Sequence, residues 1–474
     1  MLLTLLKSLI VIFVTLILRV LYDTISCYWL TPRRIKKIMA RQGVTGPKPR
    51  PLTGNILEIS AMVSKSVSKD CDSIHHDIVG RLLPHYVSWS KQYGKRFIVW
   101  NGTDPRLCLT ETELIKELLM KHNGGYARHM VECTSRLVER LRKEVGGGGG
   151  GEVEIGEEMH QLTADIISRT EFGSSFEKGK ELFNHLTVLQ RCCAQATRHL
   201  CFPGSRFVPS KYNREIKSLK KEVERLLIEI IQSRRDCAEI GRSSSHGDDL
   251  LGLLLNEMDS HKNNNKDNNN LQLIMDECKT FFFAGHETTA LLLTWTMMLL
   301  ADNPTWQEKV RDEVREVCGC DGLPSVDQLS KLTSLNKVIN ESLRLYPPAT
   351  LLPRMAFEDI QLGDLTIPKG LSIWIPVLAI HHSEDLWGKD ANEFNPERFG
   401  GRPFAPGRHF IPFAAGPRNC IGQSFAMMEA KIILATLISK FNFTISKNYR
   451  HAPIVVLTIK PKYGVQMIMK PLDS

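Results

Sequence analysis

Phe413-Ala414-Ala415-Gly416-Pro417-Arg418-Asn419-Cys420-Ile421-Gly422 is the stretch on which the reading of this chain turns. A cysteine stands between two glycines, with an arginine two residues before it. Glycine lets a backbone approach closely, so the run reads as a tight loop whose amides face the sulfur. The residues after Gly422 follow a helical pattern. That places Cys420 beside a helix N-terminus, where a thiolate is favoured. The plain alternative is a buried cysteine in a glycine-containing turn.

The run resembles the F-x-x-G-x-R-x-C-x-G haem loop of the cytochrome P-450 superfamily at every fixed position, which an ordinary turn would match only rarely. The resemblance implies a mainly α fold with small β-sheets and an N-terminal transmembrane anchor. It implies haem b, with Cys420 as the metal ligand and Phe413 and Gly416 in the haem-binding loop. A thiolate ligand donates electron density to iron and promotes O–O cleavage. Arg418 would pair with a haem propionate. Arg354, in Leu352-Pro353-Arg354, is a further propionate partner by the same resemblance; by itself it reads as a surface arginine.

Upstream, Leu271 to Asn303 is long and largely apolar and stops at Pro304. Its uncharged run, Thr288 to Ala301, is shorter than the ~20 residues a membrane span needs, so it reads as a helix through the middle of the domain. Ala284-Gly285-His286-Glu287-Thr288-Thr289 interrupts it with polar groups, which are costly there unless partnered. A threonine hydroxyl in a helix can bond back to the preceding turn and open it locally. The run resembles the superfamily's A-G-x-[DE]-T motif. On that resemblance Gly285 leaves room for dioxygen, Thr288 hydrogen-bonds the bound oxygen, and Glu287 relays protons. A kinked helix with satisfied polar groups is the alternative.

Glu341 and Arg344 lie at i, i+3 on a helix from Leu332 to Tyr346, ended by Pro347. Alone this reads as a surface ion pair. Phe394-Asn395-Pro396-Glu397-Arg398-Phe399 follows at the superfamily's place, and the resemblance implies a structural Glu341–Arg344–Arg398 cluster. Pro347 to Leu352 would border the substrate pocket.

The chain has 474 residues and a net charge of +9, with its Lys and Arg spread out and no nucleic-acid motif. That balance suits an acidic protein partner or an anionic membrane and argues against nucleic acid. The other eleven of the twelve cysteines show no paired or zinc-type spacing and read as free thiols in a reducing compartment. Gly146 to Gly151 and Asn263 to Asn270 read as surface loops. Glu215 to Arg234 is helical in pattern. Strands are expected at Arg96 to Trp100, Leu371 to Val377, and a terminal pair around Pro453 to Met469 that turns at Lys462-Tyr463-Gly464.

Residues 1–30 read as a membrane anchor: Met1 to Tyr22 is almost wholly apolar, with Lys7 and Arg19 reaching the two interfaces. A cleaved signal peptide is disfavoured because no small-x-small site follows. Residues 31–52 form a basic, proline-rich hinge, in which Arg33, Arg34, Lys36, Lys37 and Arg41 keep the remainder cytosolic. Residues 53–474 form the catalytic domain.

One expected segment is missing. The superfamily's W-x-x-x-R helix belongs after Lys121-His122-Asn123-Gly124, yet the chain continues directly with Gly125-Tyr126-Ala127-Arg128. No tryptophan occurs between Trp100 and Trp295, and the one match, Trp29 to Arg33, lies beside the anchor.

Within the superfamily the wording on both sides of that junction resembles plant cytokinin hydroxylases, which oxidise the isopentenyl side chain of adenine cytokinin nucleotides to trans-zeatin forms. The resemblance implies a monomeric, single-pass protein of the endoplasmic reticulum membrane. It implies a small-molecule substrate and electrons from NADPH through a flavin reductase. Gibberellins or brassinosteroids are alternative substrates. A non-catalytic truncated product is the alternative from a different class. A dioxygen-independent isomerase is disfavoured by the presence of both Glu287 and Thr288.

Overall fold

A computed structural model describes residues 31–41, 44–50, 53–68, 78–94, 96–101, 104–109, 127–146, 150–172, 181–182, 184–189, 192, 210–239, 251, 255, 267–319, 322–400, 409–416 and 418–472. The expected anchor, 1–30, and the Gly124–Gly125 junction lie outside these residues. Among the described residues no helix is long and apolar enough to cross a membrane.

The larger helices are α1 (Thr31–Arg41), α2 (Ile56–Val67), α3 (Pro84–Tyr93), α4 (Ala127–Val145), α5 (Ile155–Phe172), α6 (Lys211–Glu239), α7 (Asp267–Asp302), α8 (Pro304–Cys318), α9 (Thr333–Leu345) and α10 (Gln423–Lys440). The strands are β1 (Arg96–Asn101), β2 (Asp104–Leu109), β3 (Gly151–Glu154), β4 (Leu352–Met355), β5 (Ile360–Leu362), β6 (Leu365–Ile367), β7 (Ser372–Ile375), β8 (Phe441–Ile445), β9 (Pro453–Val456), β10 (Thr458–Pro461) and β11 (Gln466–Pro471). The expected mainly α architecture with small sheets is what the chain adopts. One sheet runs β1-β2-β7-β4, a second β3-β11-β8, and β9–β10 and β5–β6 form two-stranded pairs.

Helix α7 is the axis of the fold. Every residue from Ala290 to Ala301 is buried, as its uncharged, mostly apolar sequence requires; the hydroxyls of Thr294 and Thr296 bond back to the Ala290 and Leu292 carbonyls. Around that half pack α4, α5, α8, α9 and α10, whose buried side chains join it in one core. Pro304 ends α7 and opens α8 at the first helical position, where its missing N–H costs nothing. A second core joins the β1-β2-β7-β4 sheet to Ile35 and Met39 of α1 and to Val44. The stretch read as a hinge therefore carries a helix packed on the sheet.

Three local expectations are corrected. The last four residues of the asparagine-rich stretch, 267–270, form the first turn of α7. Asn and Asp suit that position because the first-turn amides lack helical partners and the helix dipole favours acid there. Gly151, the last of the glycine run, begins β3 and pairs with Met469. A Cβ at Gly151 would meet Val145 at 3.1 Å, so a small residue is needed for that approach. Lys462-Tyr463-Gly464 is a turn, with Gly464 at φ +74°, but it leads from β10 into β11, which pairs with β8 and β3; the paired terminal strands β9 and β10 are joined at Leu457. Leu457 has φ +71°, a left-handed backbone that sequence patterns do not assign to leucine.

Candidate functional site

The cysteine run folds as the tight loop its glycines suggest. The Cys420 amide donates to the Phe413 carbonyl at 2.8 Å, and the Asn419 amide to the Gly416 carbonyl at 2.8 Å. Gly416 turns at φ +92°, and Ala414 is held at φ +59°, a strained value for alanine. The Gly422 amide donates to the Cys420 sulfur, which favours the thiolate. A Cβ at Gly422 would lie 3.9 Å from that sulfur. Helix α10 starts at Gln423, as expected. Cys420 is open to solvent as a whole residue, yet enough protein surrounds its sulfur for burial to push the thiol pKa up. Left to itself the group is therefore a thiol at neutral pH, and coordination to a metal would be what removes its proton.

Two arginines converge near this loop. Arg354, on β4, has its Nε buried without a hydrogen-bond partner, while Nη1 donates to the Pro353 carbonyl at 2.8 Å. Burial lowers its pKa, and the positive charge of Arg418 lowers it further. Two like charges facing one another, one with an unmatched buried donor, fit an anion between them. A carboxylate with two acceptor oxygens, such as a haem propionate, has that chemistry. With the glycine-lined sulfur, these residues fit the expected cofactor.

The loop is anchored to the buried ion cluster that the sequence suggested. Arg344 Nε lies 2.6 Å from Glu341 Oε2, and Nη2 lies 2.8 Å from Oε1. Both side chains are fully enclosed. Arg398 Nε joins Glu341 at 3.4 Å, and the Asn395 amide donates to the same carboxylate at 2.9 Å. Arg344 also donates to the His381 and Ala391 carbonyls at 2.9 and 2.5 Å. The His381 ring in turn accepts the Ile411 amide at 3.0 Å. Sequence reasoning passed over His381, the link between the ion cluster and the chain leading into the cysteine loop.

The polar interruption of α7 divides into two faces. Thr288 is half-buried and donates to the Ala284 carbonyl at 2.7 Å, the back-bond expected of it. Glu287 is buried and turned towards β10 and α5. Thr458 donates to its Oε1 at 3.0 Å, the Lys460 ammonium pairs with the same oxygen, and His160 Nδ1 stands 3.7 Å from Oε2. Burial opposes ionisation of Glu287, but Lys460, His160 and His286 outweigh it and hold its pKa below the usual value. Burial lowers the pKa of His160 and of His286, so both are neutral at pH 7. Lys460, Thr458 and His160 carry no motif, and nothing in the sequence marked them. Glu429 of α10 is buried with neither carboxyl oxygen hydrogen-bonded, and burial drives its pKa well above the usual range. A Cβ at Gly285 would meet Ile167 Cδ1 at 2.7 Å, so the glycine admits α5 against α7.

The sequence profile of the family Cytochrome P450 matches residues 125–467. This chain belongs to the cytochrome P450 family. Membership brings a haem iron and a reductase as electron donor. "Cytokinin hydroxylase" of Arabidopsis thaliana is 84% identical over 519 aligned positions, covering 100% of both chains. A second Arabidopsis thaliana protein of that name is 73% identical over 99% of each chain. "Cytochrome P450 709B1" from the same plant is 36% identical, covering 98% of this chain and 99% of its own. The first alignment has 519 positions and this chain 474 residues, so at least 45 positions have no residue here. The family match begins at Gly125, the residue after the junction at which the helix was expected.

Proposed function

We propose that this chain is a haem-thiolate monooxygenase that hydroxylates the isopentenyl side chain of adenine cytokinin nucleotides to trans-zeatin forms. The observation that carries the reading is the 84% identity, over the full length of both chains, with a protein named cytokinin hydroxylase. The bound haem supplies dioxygen activation, with electrons from NADPH through a flavin reductase. Cys420 holds the iron, and Arg418 and Arg354 hold the propionates. Phe413 closes the loop with its carbonyl, and Gly416 supplies the turn. Thr288, half-buried on α7, hydrogen-bonds the oxygen side of the site. Glu287 carries protons towards it, reloaded through Lys460 and His160, whose side chains are 30% and 34% exposed. Residues 1–30 anchor the chain in the endoplasmic reticulum membrane, with the domain beyond the basic stretch in the cytosol.

The chain is purified and its reduced, carbon-monoxide-treated spectrum recorded. It is then incubated with reductase, NADPH and an isopentenyladenine nucleotide. A shifted Soret band and a trans-zeatin product support the reading. A Soret band without zeatin product moves the substrate to another plant hormone class such as gibberellins or brassinosteroids.

A second reading is supported by the 45 unmatched positions and by the family match that starts at Gly125. On it, the chain lacks the W-x-x-x-R helix and does not retain haem. Loss of a buried helix readily exceeds the ~5–15 kcal/mol that holds a domain folded. Absence of the Soret band in this chain, and its return when the segment is restored between Gly124 and Gly125, would single out this reading.

A further inference from the structure

His160, His286 and Glu287 bring ligand atoms together on the side of α7 that faces away from Thr288. One atom from each lies within 4.8 Å of the others. The two imidazole centroids are 6.3 Å apart, and His160 Nδ1 is 3.7 Å from Glu287 Oε2. The surroundings are ordered as metal sites require. His286 Nδ1 meets the Phe282 carbonyl at 2.9 Å, so that nitrogen carries the proton and Nε2 keeps its lone pair. The ring is held by stacking on Phe282 at 4.6 Å. Thr458 and Lys460 occupy Oε1 of Glu287 and leave Oε2 turned to His160. Outer hydrogen bonds of this kind fix the tautomer and orientation of ligating groups. His286 and Glu287 are buried, and the half-buried His160 provides an entry path.

We propose that His160, His286 and Glu287 form a zinc(II) site that closes over Glu287. Two imidazoles and a carboxylate are a donor set that zinc takes with a fourth position left for water. Bonds of about 2.0–2.1 Å put the ligand atoms of a tetrahedral zinc about 3.3 Å apart. The cluster must therefore contract by up to about 1.5 Å, a movement the half-buried His160 side chain can supply by rotation. The Lys460 ammonium opposes the ion across the same carboxylate, and its partial exposure lets it swing out to solvent. An ion bound here immobilises the carboxylate of the proposed proton relay. That consequence rests on the monooxygenase reading; the binding does not.

The untagged full chain is titrated with zinc(II) against a chromophoric chelator, and with cobalt(II) for its tetrahedral absorption. One ion per chain is expected. His160→Ala and Glu287→Gln each weaken binding by at least roughly tenfold. Lys460→Met strengthens it, because the competing cation is gone. His160→Ala is the deciding variant, since its side chain is half-buried and its loss leaves the fold intact by circular dichroism. Equal affinity in His160→Ala and the unaltered chain overturns the proposal. So does binding lost instead with His185→Ala, which disrupts the Glu181–His185–Glu222 cluster, or with Cys420→Ser.

Discussion

Glu341 and Glu287 are both enclosed carboxylates on helices of the same core, and their partners differ in kind. Glu341 is met by the guanidiniums of Arg344 and Arg398 and by the Asn395 amide. Arginine does not give up its proton, and an amide does not change charge. Glu287 is met by an ammonium, a hydroxyl and two imidazoles, one of them half-buried. Burying an ion costs several kcal/mol unless partners offset it. At Glu341 that offset is permanent, which suits a group that holds the chain around His381 and Ala391 in place. At Glu287 it is adjustable, which suits a group whose charge must move.

The sharpest way to break this contrast is Arg344→Met. It leaves Glu341 enclosed without its bidentate partner, and a loss of about 3–5 kcal/mol is expected in urea denaturation. An unchanged unfolding midpoint would show that the cluster does not hold the core. Lys460→Met removes one of several partners, and a loss of about 1.5–3 kcal/mol is expected. The infrared carboxyl band of Glu287 should then appear at a higher pH than in the unaltered chain. The next effect is a slope. Burial lowers the His160 pKa from 6.5, so the unfolded chain binds more protons as pH falls below that value. Stability is fully present above pH 6.5 and is lost as pH falls towards the folded value. Glu287, also lowered, loses its contribution in the same direction below its ordinary 4.5. His160→Asn should flatten the fall in urea midpoint between pH 7 and pH 5, leaving the part due to the other buried histidines whose pKa burial lowers, His286, His85 and His381. An identical slope would mean that His160 does not titrate with folding. Arg225→Ala marks the lower end. Its ion pairs with Glu222 and Glu229 are solvent-exposed, and no measurable shift in melting temperature is expected.

The sequence disclosed those parts of the site whose chemistry is local. Cys420, its glycines and Arg418 fall within one ten-residue run, because a loop around a sulfur has to be built from neighbours. Glu341 and Arg344 sit one helical turn apart for the same reason. The surroundings of Glu287 were illegible. Thr458 reaches it from 171 residues away, and only the packing of β10 on α7 decides that meeting. A glycine in a helix records that something comes close without saying what; at Gly285 it is Ile167. The terminal pairing was misplaced because Lys462-Tyr463-Gly464 carries a turn composition and does turn, whereas Leu457, which joins the paired strands, carries none.

That single-residue connection has a bearing on which changes of length the chain can accept. Alternate residues of a strand face opposite ways, so Thr458 and Lys460 share one side while Ile459, which accepts a hydrogen bond from the Trp295 indole at 3.2 Å through its carbonyl, lies between them. Exchanging Leu457 for another residue leaves this phase intact. Adding one residue at the tip slides the strand by half a repeat, bringing an isoleucine to the carboxylate and sending its cation and hydroxyl to the far face.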